Sequence, residues 1–318
     1  MDNKIQEDPE YDNLKNLIKN KAESCVVFIG SGPSSRLYPK WEELVCQICK
    51  ACGLPSMNTV NINRSPEDLL KLADKAKDQA EKEYCHTLFK IFGGPIIKTV
   101  PFYDLLMRLK FKSYITTNFD PLLASEERKP EHECTGLFAF PDLPQEKITD
   151  RAVFYIHGLV ETGKTPSPNQ IILGEKDFKR GYSDKYLLKS FLTQVFTYNP
   201  LLFIGYSLSD PDVIQLIKTC REIRENIKIE RHNQDLPKRY ALLPYHFITQ
   251  KKSYEKSKLK RDYLKEEEES NRFRELDINV VRYESKDEHH TGLDEIFEKW
   301  CNLQPIIVYS GFEESNLI

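Results

Sequence analysis

The chain contains no run approaching the ~18 consecutive apolar residues that a membrane-spanning helix needs. It has no basic excess either: 46 Lys and Arg stand against 49 Asp and Glu, a formal charge of −3. Proteins that hold nucleic acid by neutralising phosphates usually carry a net basic domain or face, so direct nucleic-acid binding is not expected. Cysteine is sparse, with 8 in 318 residues and none between Cys134 and Cys220, which excludes a disulfide scaffold. The first ten residues are polar and acidic, without the basic start and apolar stretch of a signal peptide. The expected setting is the cytoplasm, away from membranes. No internal repeat is evident.

What is present is ample core material: 40% of the residues are hydrophobic. At roughly 100–200 residues per domain, the length admits one large domain or two modest ones. Short apolar runs at 25–29, 153–156 and 201–204 read as buried strands, with 113–116, 239–243 and 278–283 as further strands and 171–173 as a candidate one. Helical spacing covers 10–24, 40–52, 67–92, 101–109, 184–198 and 293–301, and another helix should start at Pro211. The run 251–275, dense in both charge signs, reads as a solvated surface helix. Strands alternating with longer helices imply an α/β fold, a parallel sheet covered on both faces. Ligands of such sheets bind at the carboxyl ends of the strands.

Four predicted strand ends are chemically unusual. After 25–29 comes Gly30-Ser31-Gly32-Pro33-Ser34-Ser35, whose glycines let backbone approach a pyrophosphate and whose Ser34 adds a hydroxyl. Ser35 stands where the dinucleotide fingerprint wants a third glycine, so an ordinary tight turn is the competing reading. After 113–116 comes Thr117-Asn118-Phe119-Asp120. Asn118 offers a donor and an acceptor for ribose hydroxyls or a water, whereas Asp120, followed by Pro121, also fits a plain helix cap. After 153–156 comes His157-Gly158, a candidate proton acceptor beside a residue that opens space. After 201–204 comes Gly205-Tyr206-Ser207, with Asp210 before Pro211 again placed as a cap.

Two motifs are deceptive. Residues 158–165 match G-x-x-x-x-G-K-[ST] letter for letter, but Pro166 and Pro168 follow where a phosphate-binding helix must begin. A nucleophile elbow needs glycine at position 209, which is Ser.

Taken in order, Gly30-x-Gly32-x-Ser34, Thr117-Asn118-x-Asp120, His157-Gly158 and Gly205-Tyr206-Ser207-x-x-Asp210 resemble the sirtuin-like (SIR2-like) family. Trp41 after Pro39 fits the Pro-x-Trp of its bacterial members. The resemblance covers roughly residues 20 to 303. It implies a Rossmann-like parallel sheet flanked by helices: an N-terminal helical segment at 1–24, the NAD-binding domain at 25–303 with a helical insertion at about 53–110, and a tail at 304–318. It further implies that Gly30, Ser31, Gly32 and Ser34 hold NAD, and that Thr117, Asn118 and Asp120 line the nicotinamide-ribose pocket. His157 would be the catalytic base, Asn118 would orient ribose or water, and Gly205, Ser207 and Asp210 would contact NAD from the far side.

Two features depart from deacylating sirtuins. The zinc ribbon's Cys-x-x-Cys pairs are missing, since Cys46-x-x-Cys49-x-x-Cys52 lies on a predicted helix and reads as core, so no metal is expected. The first loop also lacks the Pro-Asp-Phe-Arg continuation. Both departures resemble the branch that hydrolyses NAD in bacterial anti-phage defence. That resemblance implies a gated NAD glycohydrolase, homo-oligomeric or switched by a partner such as a HerA-type ATPase, a short Argonaute or a phage-derived trigger. The alternatives are a sensor module that binds NAD or ADP-ribose without cleaving it, and a zinc-free deacylase or ADP-ribosyltransferase.

Overall fold

A computed structural model describes residues 9–54, 65–144, 148–183, 188–208, 210–230, 236–250, 258–285 and 290–303. Its centre is a seven-stranded, wholly parallel sheet. The strands are β1 (Val26–Ile29), β2 (Ser113–Thr116), β3 (Gly136–Ala139), β4 (Ala152–Tyr155), β5 (Leu201–Ile204), β6 (Arg239–Pro244) and, after a separate hairpin of β7 (Phe247–Gln250) and β8 (Lys258–Arg261), β9 (Asn279–Tyr283). Their order in the sheet is β3-β4-β2-β1-β5-β6-β9.

The sequences of β1 (VVFI) and β5 (LLFI) are apolar at every position because both faces are covered, and every residue of each is buried. Alternation along the strands sorts their side chains into two layers. Val27, Ile29, Tyr114, Tyr155, Leu202 and Ile204 pack with α1 (Pro9–Lys21), α5 (Pro101–Arg108), α6 (Leu122–Glu127) and α11 (Gly292–Cys301). Val26, Phe28, Ile115, Phe154, Leu201 and Phe203 pack with α8 (Leu188–Tyr198) and α9 (Pro211–Glu230). A third apolar cluster joins α2 (Trp41–Ala51), α3 (Pro66–Gln79) and α4 (Glu81–Phe92) to Phe119, Val160, Ile171 and Leu173, which follow β2 and β4.

The chain runs from β1 outward through β2 to the edge strand β3, steps back to β4 between them, then crosses to β5 on the other side of β1. That reversal opens a crevice at the carboxyl ends beside β1, the place where such sheets bind ligands. The ends of β1, β2, β4 and β5 all face it.

Several predicted elements need correction. Residues 67–92 are two helices: Ala80, at φ −152 and ψ 70, closes α3 and starts α4. The break lets Tyr84 and Leu88 join the same cluster as Leu69 and Ala73. Residues 171–173 form no strand; they are apolar because they are buried between His157 and the α2–α4 cluster, with Ile172 N–H bonded to the His157 carbonyl at 2.9 Å. The charged run 251–275 is not one solvated helix. Residues 258–261 pair as β8, and α10 (Tyr263–Arg274) starts at Asp262, whose side chain accepts Lys265 N–H. Its Glu266 is buried, holding Arg261 and His246 N–H, so charge there anchors the helix as well as solvating it. The expected tail at 304–318, residues 55–64 of the insertion and residues 251–257 lie outside the described residues. Reading the sequence also missed β3, a half-buried strand at the sheet edge, and α7 (Glu175–Gly181).

Phe28 lies at the heart of this core, with ring centroids 5.7, 5.4 and 5.0 Å from Phe196, Phe203 and Tyr206. Phe28→Ala should lower unfolding free energy by about 3–5 kcal/mol in urea titrations. A loss below about 1 kcal/mol would mean that the ring cluster does not carry the core.

Candidate active site

The loops after β1 and β5 touch backbone to backbone. Gly30 N–H donates to Ile204 O at 2.9 Å and Gly32 N–H to Gly205 O at 3.1 Å. Gly205 takes φ +60, and a Cβ there would fall 2.3 Å from Pro33 Cδ, so no other residue fits without displacement. These glycines therefore set how closely the two loops approach. Gly30, Ser31, Ser34, Gly205 and Ser207 line the crevice, whereas Gly32 lies behind them against Gly205.

At the end of β2, Asn118 is buried and its orientation is fixed. Its backbone N–H donates to Thr116 Oγ1 at 3.1 Å, and its Nδ2 donates to Gly30 O at 3.2 Å and Ser34 Oγ at 3.1 Å. Because a carbonyl can only accept, the contact with Gly30 O identifies the amide nitrogen. Asn118 Oδ1 is left buried without a hydrogen-bond partner among the described residues. Ser34 Oγ also bonds the buried Tyr103 hydroxyl at 2.5 Å. Asp120 Oδ1 accepts the N–H of Leu122, the first residue of α6, at 3.1 Å, but the N-cap is Pro121, so Asp120 sits one residue before the expected cap position. Burial pushes its carboxyl up to about 6, against the pull of hydrogen bonds from Ser34, Leu122 and Asn118.

At the end of β4, His157 is 5% exposed, with Phe178 edge-on at 5.0 Å. Its Nε2 lies 3.1 Å from the Tyr182 hydroxyl and 3.3 Å from Asp210 Oδ2. Desolvation holds the imidazole neutral, lowering its pKa to about 3. Gly158 has φ +100, and a Cβ there would meet Gln170 O at 2.0 Å, so the glycine admits segment 168–173 beside the histidine. Asp210 Oδ1 accepts the N–H groups of Asp212 and Val213 at 3.0 and 3.1 Å, capping α9. Burial raises its carboxyl to about 7.

The crevice is lined by ten of the eleven residues singled out from the sequence: Gly30, Ser31, Ser34, Thr117, Asn118, Asp120, His157, Gly205, Ser207 and Asp210. Its other wall is apolar, built from Trp41, Leu44, Leu70, Phe92, Phe119 and Leu173. Sequence reasoning missed Tyr103 and Tyr182, since no local motif distinguishes them from core tyrosines, and gave Tyr206, inside the Gly205-Tyr206-Ser207 motif, no role. It also found no carboxylate pair, yet two buried acids, Asp120 and Asp210, line the same pocket.

The P-loop pattern has no P-loop structure. Lys164 lies in an exposed turn, ion-paired with Glu161 at 3.1 Å, and no helix starts there. Cys49 and Cys52 are buried and point to carbonyls of Leu72 and Ala80. Among the described residues Asp104, Glu126 and His132 bring three ligand-type atoms within 4.8 Å of one another. Lys129 lies 2.6 Å from Glu126 and Arg108 2.7 Å from Asp104, so side-chain cations already balance those carboxylates.

A parallel α/β sheet with these four loops converging at its switch point is the architecture of a Rossmann-like nucleotide-binding domain. Residues 112–269 match the SIR2-like domain family, so the chain carries a SIR2-like domain over that segment. It is 24% identical over 210 residues to NAD(+) hydrolase ThsA of Bacillus cereus (strain MSX-D12), covering 64% of this chain and 41% of that protein. It is 23% identical over 222 residues to defense-associated sirtuin 2 of Bacillus subtilis, covering 67% of this chain and 21% of that protein. The chain thus spans less than half the length of either relative. A crystal structure of a Sir2 homologue–NAD complex aligns with TM-score 0.41 at 10% identity, covering 92% of this chain and 94% of that one.

The raised carboxyl of Asp120 has a consequence for stability. A folded-state pKa of about 6 against an ordinary 3.8 means that the folded state binds the proton more tightly. Its contribution to stability is complete below about 3.8 and is lost as pH rises through about 6. Asp120→Asn, which keeps an oxygen for Leu122 N–H, should flatten the fall in melting temperature over this window. An unchanged slope would show that the carboxyl is not held in its neutral form by burial.

Proposed function

We propose that this protein is an NAD glycohydrolase that cleaves the nicotinamide–ribose bond, with NAD and water giving nicotinamide, ADP-ribose and a proton. The observation that carries the reading is Asn118 Oδ1, a buried acceptor without a partner on the pocket wall, its amide locked by Gly30 O and Ser34. A buried unsatisfied acceptor in a built pocket calls for a donor from a ligand, and a ribose hydroxyl or attacking water supplies one. The names of the two curated relatives, an NAD(+) hydrolase and a defence-associated sirtuin, support the same reaction and a role in anti-phage defence.

Cleavage of this bond passes through an oxocarbenium-like state, as in glycoside hydrolysis. Ser31, Ser34 and Ser207 contact the dinucleotide at the glycine loops. Asn118 orients the nicotinamide ribose or the water, and His157 accepts the proton that is lost. Thr117 closes the floor beside Asn118. Ionised Asp120 places negative charge in a water-poor pocket where a cationic sugar develops. The apolar wall formed by Trp41, Leu44, Phe92 and Phe119 keeps bulk water out. Unrestrained hydrolysis would drain NAD from the cell, so the activity is gated, by self-assembly or by a protein partner.

A second reading, a sensor that binds NAD or ADP-ribose without turnover, is favoured by the depressed basicity of His157 in its buried setting. Nicotinamide release separates the two. The purified protein, alone or with its activator, should release nicotinamide, whereas His157→Ala and Asn118→Ala should each lose at least about 100-fold. Both variants should still fold cooperatively, with a melting temperature lowered by the lost buried contacts but well above the assay temperature. Release that persists in both variants overturns the residue assignment. An NAD-induced rise in melting temperature without release points to a missing activator, and the sensor is selected when release is still absent with the activator present.

A further inference from the structure

Asp210 has two oxygens with different surroundings. Oδ1 is used by the first turn of α9, where it accepts two backbone N–H groups. Oδ2 is buried, has no hydrogen-bond donor within ordinary geometry among the described residues, and faces His157 Nε2 at 3.3 Å. An N-cap needs only one oxygen, and asparagine or serine would serve as well as aspartate. The second oxygen is therefore unexplained by helix capping, and a buried carboxylate oxygen without a partner is costly.

Among the described residues His157 Nε2 has one other polar neighbour, the Tyr182 hydroxyl at 3.1 Å. A hydroxyl donates or accepts, so Tyr182 fits either imidazole tautomer, whereas an ionised carboxylate only accepts. We infer that Asp210 is a positioning residue for His157: the negative charge on Oδ2, 3.3 Å away, favours the tautomer with its proton on Nε2 and leaves Nδ1 as the nitrogen that takes the proton. The inference rests on the hydrolase reading and deepens it. The same carboxylate stabilises the imidazolium once Nδ1 is protonated, opposing the desolvation that otherwise keeps this ring neutral. Asp210 thus couples the start of α9 to the chemistry at the end of β4.

Asp210→Asn isolates the idea, because asparagine retains an oxygen for the Asp212 and Val213 amides and places an NH₂ donor where Oδ2 stands. The variant should melt no lower than the wild type. In nicotinamide release its kcat should fall by about 100-fold or more with KM within about threefold. Wild-type kcat in the variant overturns the inference, and so does an intact kcat with a raised KM, which would place Asp210 on the substrate. A second readout does not depend on turnover. With ¹⁵N-histidine labelling, and His157 assigned by its loss in His157→Gln, the imidazole should be the Nε2–H tautomer at about pH 8.5, where a carboxyl raised to about 7 is ionised. In Asp210→Asn it should switch to Nδ1–H. The same tautomer in both proteins overturns the pairing even if no nicotinamide is released, whereas a wild type silent even with its activator, with the tautomer switch intact, sinks only the hydrolase reading.

Discussion

Everything at the site depends on how closely the loops after β1 and β5 can approach. Gly32 N–H bonds Gly205 O at 3.1 Å, and a Cβ at Gly30 would lie 2.4 Å from that same oxygen. Side chains at these positions would push the two strand ends apart and open the crevice that the sheet reversal creates. With the loops in contact, Gly30 O is presented to Asn118, Ser34 is presented to Tyr103 and Asn118, and the start of α9 is brought under His157. The glycines thus act mainly through each other. Two of their amides are already bonded within the loops, so their part is to shape the crevice more than to supply its donors.

Desolvation is the second governing effect. Asp120 and Asp210 are both nearly inaccessible, and burial raises both carboxyls to within reach of neutrality while it depresses the imidazole of His157. Such opposed shifts in one pocket mark a place where protons are moved or charge is about to be compensated. The buried tyrosines surrounding the pocket remain protonated, because burial raises Tyr103, Tyr182 and Tyr206 above their ordinary range. They are hydrogen-bonding hydroxyls, not bases, which leaves the histidine and the two acids as the pocket's ionisable groups in the ordinary pH range.

The sheet was largely legible because its strands are buried on both faces: 201–204 is read at its observed bounds from an apolar run alone, and 113–116 at its bounds although Ser113 and Thr116 are polar. The chemistry at the strand ends was legible for a related reason. Polar and glycine residues that follow a short buried strand stand out, as Asn118, His157 and Gly205 do. What stayed hidden depended on tertiary contact. Tyr103 and Tyr182 lie on helix α5 and just past α7 among ordinary apolar neighbours, and only packing brings their hydroxyls to Ser34 and His157. Ile171 to Leu173 resembled a strand because burial beside a histidine and burial within a sheet leave the same composition. Ala80 carries no sequence mark of a break, since alanine is a strong helix former. The β7–β8 hairpin lies in a charged stretch without alternation, so no period of two announced it.

The central claim is that the crevice beside β1 receives NAD with its nicotinamide ribose against Asn118 and His157. The most direct measurement is a crystal structure of the protein with a hydrolysis-resistant NAD analogue. The account predicts the pyrophosphate at the loops of Ser31, Ser34 and Ser207, with a ribose hydroxyl or a water donating to Asn118 Oδ1. An analogue bound with Asn118 Oδ1 still unpartnered, or seated away from the carboxyl ends of β1 and β5, would contradict it.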